Sequence, residues 1–414
     1  MSLICPDNLT SMTPRPLHAV LLPAAAGAQR LLEVLGAALD GTGPALLPVD
    51  PRLPADQARA LLQALRPATL ETHEGTQRLD PGDSPAVAPG TAVVIATSGS
   101  TGEPKGVELS TAALRHSARA SLDRIGARPG EAWLSCLPPS HISGLQVFVR
   151  SLLSGVPPLV LERLDAESAA LLARGAEPPG YVSLVPTQVR HLLDEPGGRD
   201  ALAGFRAILL GGAAVPAGLR AEAAAAGARV ITTYGMSETC GGCVYDGEPL
   251  DGVSARIGPD GRIRLAGPVL FSGYRGRPDL TAAALDDGWF VTSDVGEVDG
   301  AGRLTVRGRA DGMINTGGEK VSADEVASVL EDCPGVREAV VVGWPDPEWG
   351  ELVTAIVVPA DPAAPPGLDV LRGFARGRLP DYAAPRAVVV VPAVPLLSSG
   401  KPDLRALRLL AQPG

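Results

Sequence analysis

Apolar residues fall into three successive textures along the chain. Between about residues 16 and 89, stretches such as 25–39 and 55–65 place Ala and Leu at i, i+3 and i+4, which predicts amphipathic helices alternating with short strands. Continuous apolar runs follow at 92–96, 132–137, 181–187, 207–214 and 230–233, and their length and Val/Ile content suit buried strands. A helix is predicted over 110–125, with Ser110 or Thr111 as its cap. From Gly252 to Arg309 the runs become short and alternating. The turns Gly258-Pro259-Asp260-Gly261 and Asp299-Gly300-Ala301-Gly302 separate them, so antiparallel strands are expected there. Between them, residues 287–294 read as an exposed turn ending in the acid Asp294. The last hundred residues read as a small α+β unit, with helices at 323–330, 368–376 and 404–410 and strands near 339–342, 353–358 and 387–391.

This order predicts an α/β protein: a large amino-terminal domain of αβ layers plus a small antiparallel β subdomain, followed by a small mobile α+β carboxyl-terminal domain. The length of 414 residues is enough for a large core and two domains. A net charge of −10 disfavours nucleic acid as a partner, because binding a phosphate backbone needs a basic surface. No stretch reads as a signal peptide or a membrane span; the apolar run near 17–26 is short and contains Pro23. A cytoplasmic protein is therefore expected. Cys5, Cys136, Cys240, Cys243 and Cys333 are scattered and odd in number, which fits reduced thiols. Cys240 and Cys243 have CxxC spacing, but no second pair completes a zinc site and no thioredoxin-like helix follows a strand there.

Candidate chemistry begins at Thr97-Ser98-Gly99-Ser100-Thr101-Gly102-Glu103-Pro104-Lys105-Gly106, on the turn leaving the 92–96 strand. Glycines let backbone N–H groups converge on an anion, the hydroxyls add donors and Lys105 adds a compact charge, so the stretch reads as a phosphate cradle. It is not a Walker A loop, because Gly106 stands where that motif needs Ser or Thr. Among 36 Lys and Arg, only Lys105, Lys320 and Lys401 are lysines, each beside a glycine-bearing turn. An ammonium is a point donor that fits among phosphate oxygens, whereas a guanidinium is a broad fork. Lysine thus survives where arginine would not serve, although Lys320 also reads as a surface residue and Lys401 as a solvated one.

Further turns leave predicted strands at Pro138-Pro139-Ser140-His141-Ile142-Ser143-Gly144, Gly211-Gly212-Ala213 and Thr233-Tyr234-Gly235-Met236-Ser237-Glu238-Thr239. Loops at the carboxyl ends of parallel strands converge on one crevice. His141 reads equally as a structural or a site residue. The Gly-Gly turn lets a flat ligand approach the backbone, and Tyr234 followed by Ser237 and Glu238 supplies a stacking ring, a hydroxyl and a carboxylate suited to a phosphate and its Mg²⁺.

Taken in order, these segments resemble the acyl-adenylate-forming superfamily of acyl-CoA synthetases, amino-acid adenylation domains and luciferases, from about Ala92 to the end of the chain. Residues 97–106 look like its phosphate loop and 234–239 like its aromatic-Gly-x-Ser/Thr-Glu motif. Thr292-Ser293-Asp294 looks like the ribose motif, with Ser293 in place of the common Gly. Gly308-Arg309-Ala310-Asp311 looks like the hinge motif and Ser399-Gly400-Lys401 like the catalytic-lysine motif. Within the superfamily, His141 to Gln146, Val185-Pro186-Thr187-Gln188 and Gly235 to Gly247 look most like the o-succinylbenzoyl-CoA synthetase branch of menaquinone biosynthesis.

The resemblance implies an AMP-forming ligase using ATP, Mg²⁺ and coenzyme A, with domains at 1–309 and 310–414 and a hinge near Asp311. Lys401 would bridge the carboxylate and the α-phosphate, Glu238 and Thr101 would hold Mg²⁺, and Thr97, Ser98, Gly99, Ser100, Thr101, Gly102 and Lys105 would cradle the phosphates. Gly211, Gly212, Ala213, Thr233, Tyr234, Gly235, Met236 and Ser237 would line the nucleotide site, Asp294 and Arg309 would take the ribose, and Lys320 would lie on the CoA side. His141, Ser143, Gly144, Gln188 and Arg190 are the substrate candidates, Arg190 reading equally as a solvated helix residue. Another aryl- or acyl-CoA synthetase, a carrier-loading adenylation domain and a nucleotide sensor remain alternatives, and a homodimer is left open.

Overall fold

The computed structural model describes residues 15–79, 84–98, 104–173, 175, 178–396 and 402–410. Four sheets organise them. In the first, the strands Leu17–Val20, Ala45–Pro48, Thr69–Thr72 and Thr91–Ser98 run parallel. At one edge Thr91–Ser98 folds back as an antiparallel hairpin with Pro104–Ser110, which in turn pairs with Gly273–Tyr274. The second sheet carries Leu159–Val160, Trp133–Ser135, Tyr181–Leu184, Ala207–Leu210 and Val230–Met236 in parallel, followed by the antiparallel strands Gly241–Tyr245 and, at the edge, Glu248–Pro249.

Helices Ala28–Leu39, Thr111–Ile125 and Ile142–Ser154 join the first sheet's face in one core, where Leu35, Leu114 and Phe148 are buried with Val93, Ile95, Val107 and Leu109. Thr111–Ile125 begins where expected because the Ser110 hydroxyl accepts the Ala113 N–H at 3.1 Å, satisfying a first-turn donor. It ends at Gly126, which adopts the left-handed conformation open to a residue without Cβ.

The third sheet pairs Ser254–Ile257, Arg262–Ala266, Trp289–Val298 and Leu304–Arg309 as antiparallel neighbours. Here the structure corrects the expected exposed turn at 287–294. Only Asp287 and Gly288, both at positive φ, make the turn, and Trp289 onward is a ten-residue strand with Thr292 fully buried. Residues 185–187 likewise do not extend their strand, since Pro186 opens the helix Pro186–Asp194, where its missing N–H costs nothing. The fourth sheet, Glu319–Ser322, Met313–Thr316, Gly350–Pro359, Val336–Asp346 and Ala387–Val390, has its own core with helices Ala323–Glu331 and Leu368–Arg376. It forms the small carboxyl-terminal domain behind the large α/β one. Cys136, Cys240, Cys243 and Cys333 are free and buried, and burial pushes the Cys243 thiol up to about 12. Among the described residues no helix is long and apolar enough to cross a membrane.

Candidate active site

The ends of the predicted phosphate stretch lie on two paired strands: Thr97 is opposite Lys105 and Ser98 opposite Pro104. Gly99, Ser100, Thr101 and Gly102 lie outside the described residues, as does Lys401. Lys105 stands on the second arm, and its Nζ lies 5.6 Å from the centre of the Tyr274 ring. That distance is within reach of a cation–π contact.

Glu238 comes from the other sheet. The strand Val230–Met236 carries Thr233, Tyr234 and Gly235, with a shift in pairing register between Tyr234 and Gly235, and the single 3₁₀ turn Ser237–Thr239 then presents the carboxylate. The turn is tied from within: the Thr239 hydroxyl accepts the Met236 N–H at 2.9 Å and lies 2.8 Å from the Gly241 carbonyl. Gly235 has to be glycine, because a Cβ there would stand 2.0 Å from the Gly241 carbonyl oxygen of the returning strand. Tyr274 donates its hydroxyl to Glu238 Oε1 at 2.8 Å, so Glu238 and Lys105 meet on one ring.

A second tyrosine closes the nucleotide side. Tyr234 donates its hydroxyl to Asp294 Oδ2 at 2.7 Å. Burial, reinforced by the Asp294 charge and this hydrogen bond, pushes the Tyr234 phenol well above its ordinary value, so it stays a donor. Asp294 is aimed from below: its N–H is donated to the Thr292 hydroxyl at 3.0 Å, while that hydroxyl lies 2.8 Å from the Ile263 carbonyl. Ser293 points outward and is exposed, which leaves Asp294 undisturbed by the change from Gly. Arg309 is the backbone partner of Asp294 across the antiparallel pair. Gly211 packs so closely on Thr233 that a Cβ would lie 2.3 Å from its hydroxyl, and exposed Gly212 and Ala213 follow at the strand's end.

The substrate candidates divide. His141, half-buried, occupies the N-cap position of the helix Ile142–Ser154 without a side-chain cap bond; burial pushes the Asp50 carboxyl up, but the Arg52 contacts and, to a smaller extent, His141 outweigh it and hold that carboxyl below its usual range. The helix start lies against the Glu238 turn, since the buried Gln146 donates to the Cys240 carbonyl at 2.7 Å. Ser143 is exposed on the first turn. Gly144 has a packing reason of its own, because a Cβ would stand 2.2 Å from the Pro138 carbonyl. The Gln188 carbonyl oxygen accepts the Val185 N–H at 3.1 Å and so caps its own helix. Arg190 is neither solvated nor turned to the crevice: its guanidinium faces Glu331 of the small domain at 4.0 Å, both side chains largely buried. Lys320 is exposed on Glu319–Ser322, paired with Asn315 in the small domain's sheet.

Sequence reasoning passed over Tyr274 and Thr239. The available signal for Tyr274 was scarcity, since the chain has five tyrosines and aromatics make up 3% of it. Among the described residues no three His, Cys, Asp or Glu side chains group as a metal cage. A lone carboxylate held by a neighbouring phenol is compatible with Mg²⁺ that takes its other ligands from a nucleotide.

Comparison with known proteins agrees with this geometry. The family model for the AMP-binding enzyme matches residues 25–275, and that for the AMP-binding enzyme C-terminal domain matches residues 325–401. A probable 2-succinylbenzoate–CoA ligase of Mycobacterium tuberculosis is 41% identical over 94% of this chain and 97% of its own length. A feruloyl-CoA synthase of an Amycolatopsis species is 35% identical over 78% of this chain and 70% of its own. The o-succinylbenzoate CoA synthetase of Bacillus subtilis, solved with its acyl-adenylate intermediate, superposes with a TM-score of 0.80 at 27% identity, covering 96% of this chain and 89% of that one. The same protein solved with ATP and magnesium ion gives 0.79 at 26% identity, covering 96% and 90%.

Proposed function

The chain belongs to the AMP-binding enzyme family, and we propose that it joins o-succinylbenzoate to coenzyme A at the expense of ATP, a step of menaquinone biosynthesis. The observation that supports the adenylate-forming chemistry is that Lys105 and Glu238 meet on the Tyr274 ring, while the strand leading into the Glu238 turn carries Tyr234, bonded to Asp294. End-to-end identity to the mycobacterial protein supports the acid.

The reaction has two halves. A carboxylate oxygen of the acid attacks the α-phosphorus of ATP, the bond to the β-phosphate breaks, and pyrophosphate leaves an acyl adenylate. The CoA sulfur then attacks the acyl carbon, AMP departs, and the thiol proton is lost to solvent. Most of the catalysis of the first half is positioning and neutralisation of charge. We assign Lys105 with the hairpin tip, Ser100 and Thr101 included, to the departing phosphates. Tyr234 takes the adenine face, and Asp294 with Arg309 takes the ribose. Glu238 with Thr101 would hold Mg²⁺, which neutralises phosphate charge when bound. Lys401 reaches the carboxylate and α-phosphate during the first half only. The large domain is taken to end at residue 309, and rotation near Asp311 then withdraws Lys401 and brings the Lys320 side of the small domain toward the crevice. His141 and Ser143 are the groups left to meet the second carboxylate and ketone of the acid, which cannot stay unpaired once desolvated. The same reading places the enzyme in the cytoplasm with ATP and CoA, and it accommodates a homodimer.

The test is to incubate the protein with ATP, Mg²⁺ and a panel of carboxylic acids that includes ferulate, follow pyrophosphate release, and then add CoA. The reading expects o-succinylbenzoate to give both pyrophosphate and thioester. An acid from the panel that is adenylated while o-succinylbenzoate is not would overturn the substrate assignment.

A further inference from the structure

Glu238 is gripped twice by one short segment. The Phe271 N–H is donated to the Glu238 carbonyl at 2.8 Å, and three residues on, the Tyr274 hydroxyl is donated to Glu238 Oε1 at 2.8 Å. The segment is itself fixed. Gly273–Tyr274 pairs with Glu108 and Val107 on the hairpin's second arm, and the Tyr274 N–H is donated to the Thr281 hydroxyl at 2.9 Å. The Tyr274 ring packs edge-on against Phe271 at 4.9 Å, and Phe271 packs in the same way on Phe290 at 5.4 Å. Packing alone would be served as well by phenylalanine. The hydroxyl is what Glu238 uses, and the ring face is what Lys105 uses.

We propose that Tyr274 is a positioning residue that fixes the Glu238 carboxylate by its hydroxyl and Lys105 by its ring, so that metal and nucleotide phosphates are bound as one unit. The proposal rests on the assignment of Glu238 to Mg²⁺ made above. One carboxylate oxygen is engaged by the phenol, which restrains rotation of the carboxylate, and the other would be the oxygen to hold the ion. Such outer partners of a metal ligand are worth about 10- to 100-fold in metal affinity. The same ring restrains the ammonium, otherwise on a flexible four-carbon tether, 5.6 Å from its centre.

The test is calorimetric and needs no turnover. The dissociation constant of α,β-methylene-ATP is measured with Mg²⁺ and with EDTA, and the ratio of the two gives the tightening due to metal. Tyr274→Phe should lose about 10-fold of that tightening and leave the EDTA value unchanged, because the ring remains. Tyr274→Leu should lose the tightening and also weaken the EDTA value, because Lys105 loses its support. Glu238→Gln should lose the tightening, and adding Tyr274→Phe to it should cost nothing more. Should Glu238→Gln keep the tightening, the metal assignment beneath the proposal falls. Should Glu238→Gln lose it while Tyr274→Phe keeps it, or should the two losses add, Tyr274 is a packing residue and the proposal is overturned.

Discussion

The large-domain wall that carries Glu238 and Asp294 and the contact between the large and small domains are built on opposite plans. On the wall each functional group is aimed by another: Thr292 sets the Asp294 backbone, Tyr234 holds the Asp294 carboxylate, Thr239 closes the Glu238 turn, and Tyr274 holds the Glu238 carboxylate. Away from the chain junction, the small domain's polar contacts with the large one include a 4.0 Å ion pair, Arg190–Glu331, and a 3.0 Å hydrogen bond from the Gly218 N–H to Asp332. Even that ion pair is compromised. Burial pushes the Glu331 carboxyl up to about 7, with Glu338 and Asp332 adding to the rise and the Ala339 N–H and Arg190 opposing it. The difference teaches where order is needed. Dipoles that meet a developing charge act best when oriented in advance, whereas a domain that must come and go cannot be docked too firmly.

The largest effect expected is at the moving side. Lys401→Ala should lower pyrophosphate release by about 10²- to 10³-fold, the scale for removing one group that stabilises transition-state charge. Attack of CoA on preformed o-succinylbenzoyl-AMP should change by no more than about 2-fold, because the lysine is then withdrawn. Equal loss in both halves would break the contrast between a fixed wall and a visiting lysine. Next comes the wall itself. Asp294→Asn should raise KM for ATP about 10-fold, the worth of a hydrogen bond to a charged acceptor, and leave the KM for CoA alone.

The effect expected at the domain contact is one on stability and leaves the chemistry alone. An unfolded Glu titrates near about 4.3, whereas folded Glu331 holds its proton to about 7. Between those values the folded protein binds more protons than the unfolded one, so this residue's share of stability is whole below about pH 4 and is lost as pH rises through about 7. Glu331→Gln should therefore stabilise the protein at pH 8 by about 1 to 3 kcal/mol and hardly at all at pH 4.5, as read from thermal unfolding across that range. A variant whose gain does not depend on pH would show that Glu331 is not buried as a charge.

Much of this plan was legible in the chain. The α/β order, the helices 55–65 and 368–376 and a cap at Ser110 or Thr111 follow from periodicity and local hydrogen bonding, and the structure repeats all three, with Ser110 as the cap. Turn residues misled at 287–294, because a two-residue turn and the strand after it share Gly, Asp and Ser, and only pairing with Arg262–Ala266 and Leu304–Arg309 decides where the strand begins. Tertiary partners were not legible at all. Nothing near Arg190 in sequence announces Glu331, and nothing near Glu238 announces Tyr274 thirty-six residues away. Contacts of that kind depend on which sheet edges meet, and this is information that no single segment contains.

The most direct test of the fixed wall and moving lid is a distance between them. His73 and Leu409 are well exposed, His73 on the large domain and Leu409 on the last helix, close in sequence to Lys401. The four described cysteines are buried, so His73→Cys and Leu409→Cys, with Cys5 replaced by Ser, can carry a fluorescent donor and acceptor. Energy transfer is then recorded with ATP and o-succinylbenzoate and again with the acyl adenylate and CoA. The account predicts two distinct transfer efficiencies, one for each half-reaction. A single efficiency under both conditions, with both half-reactions still running, would contradict it.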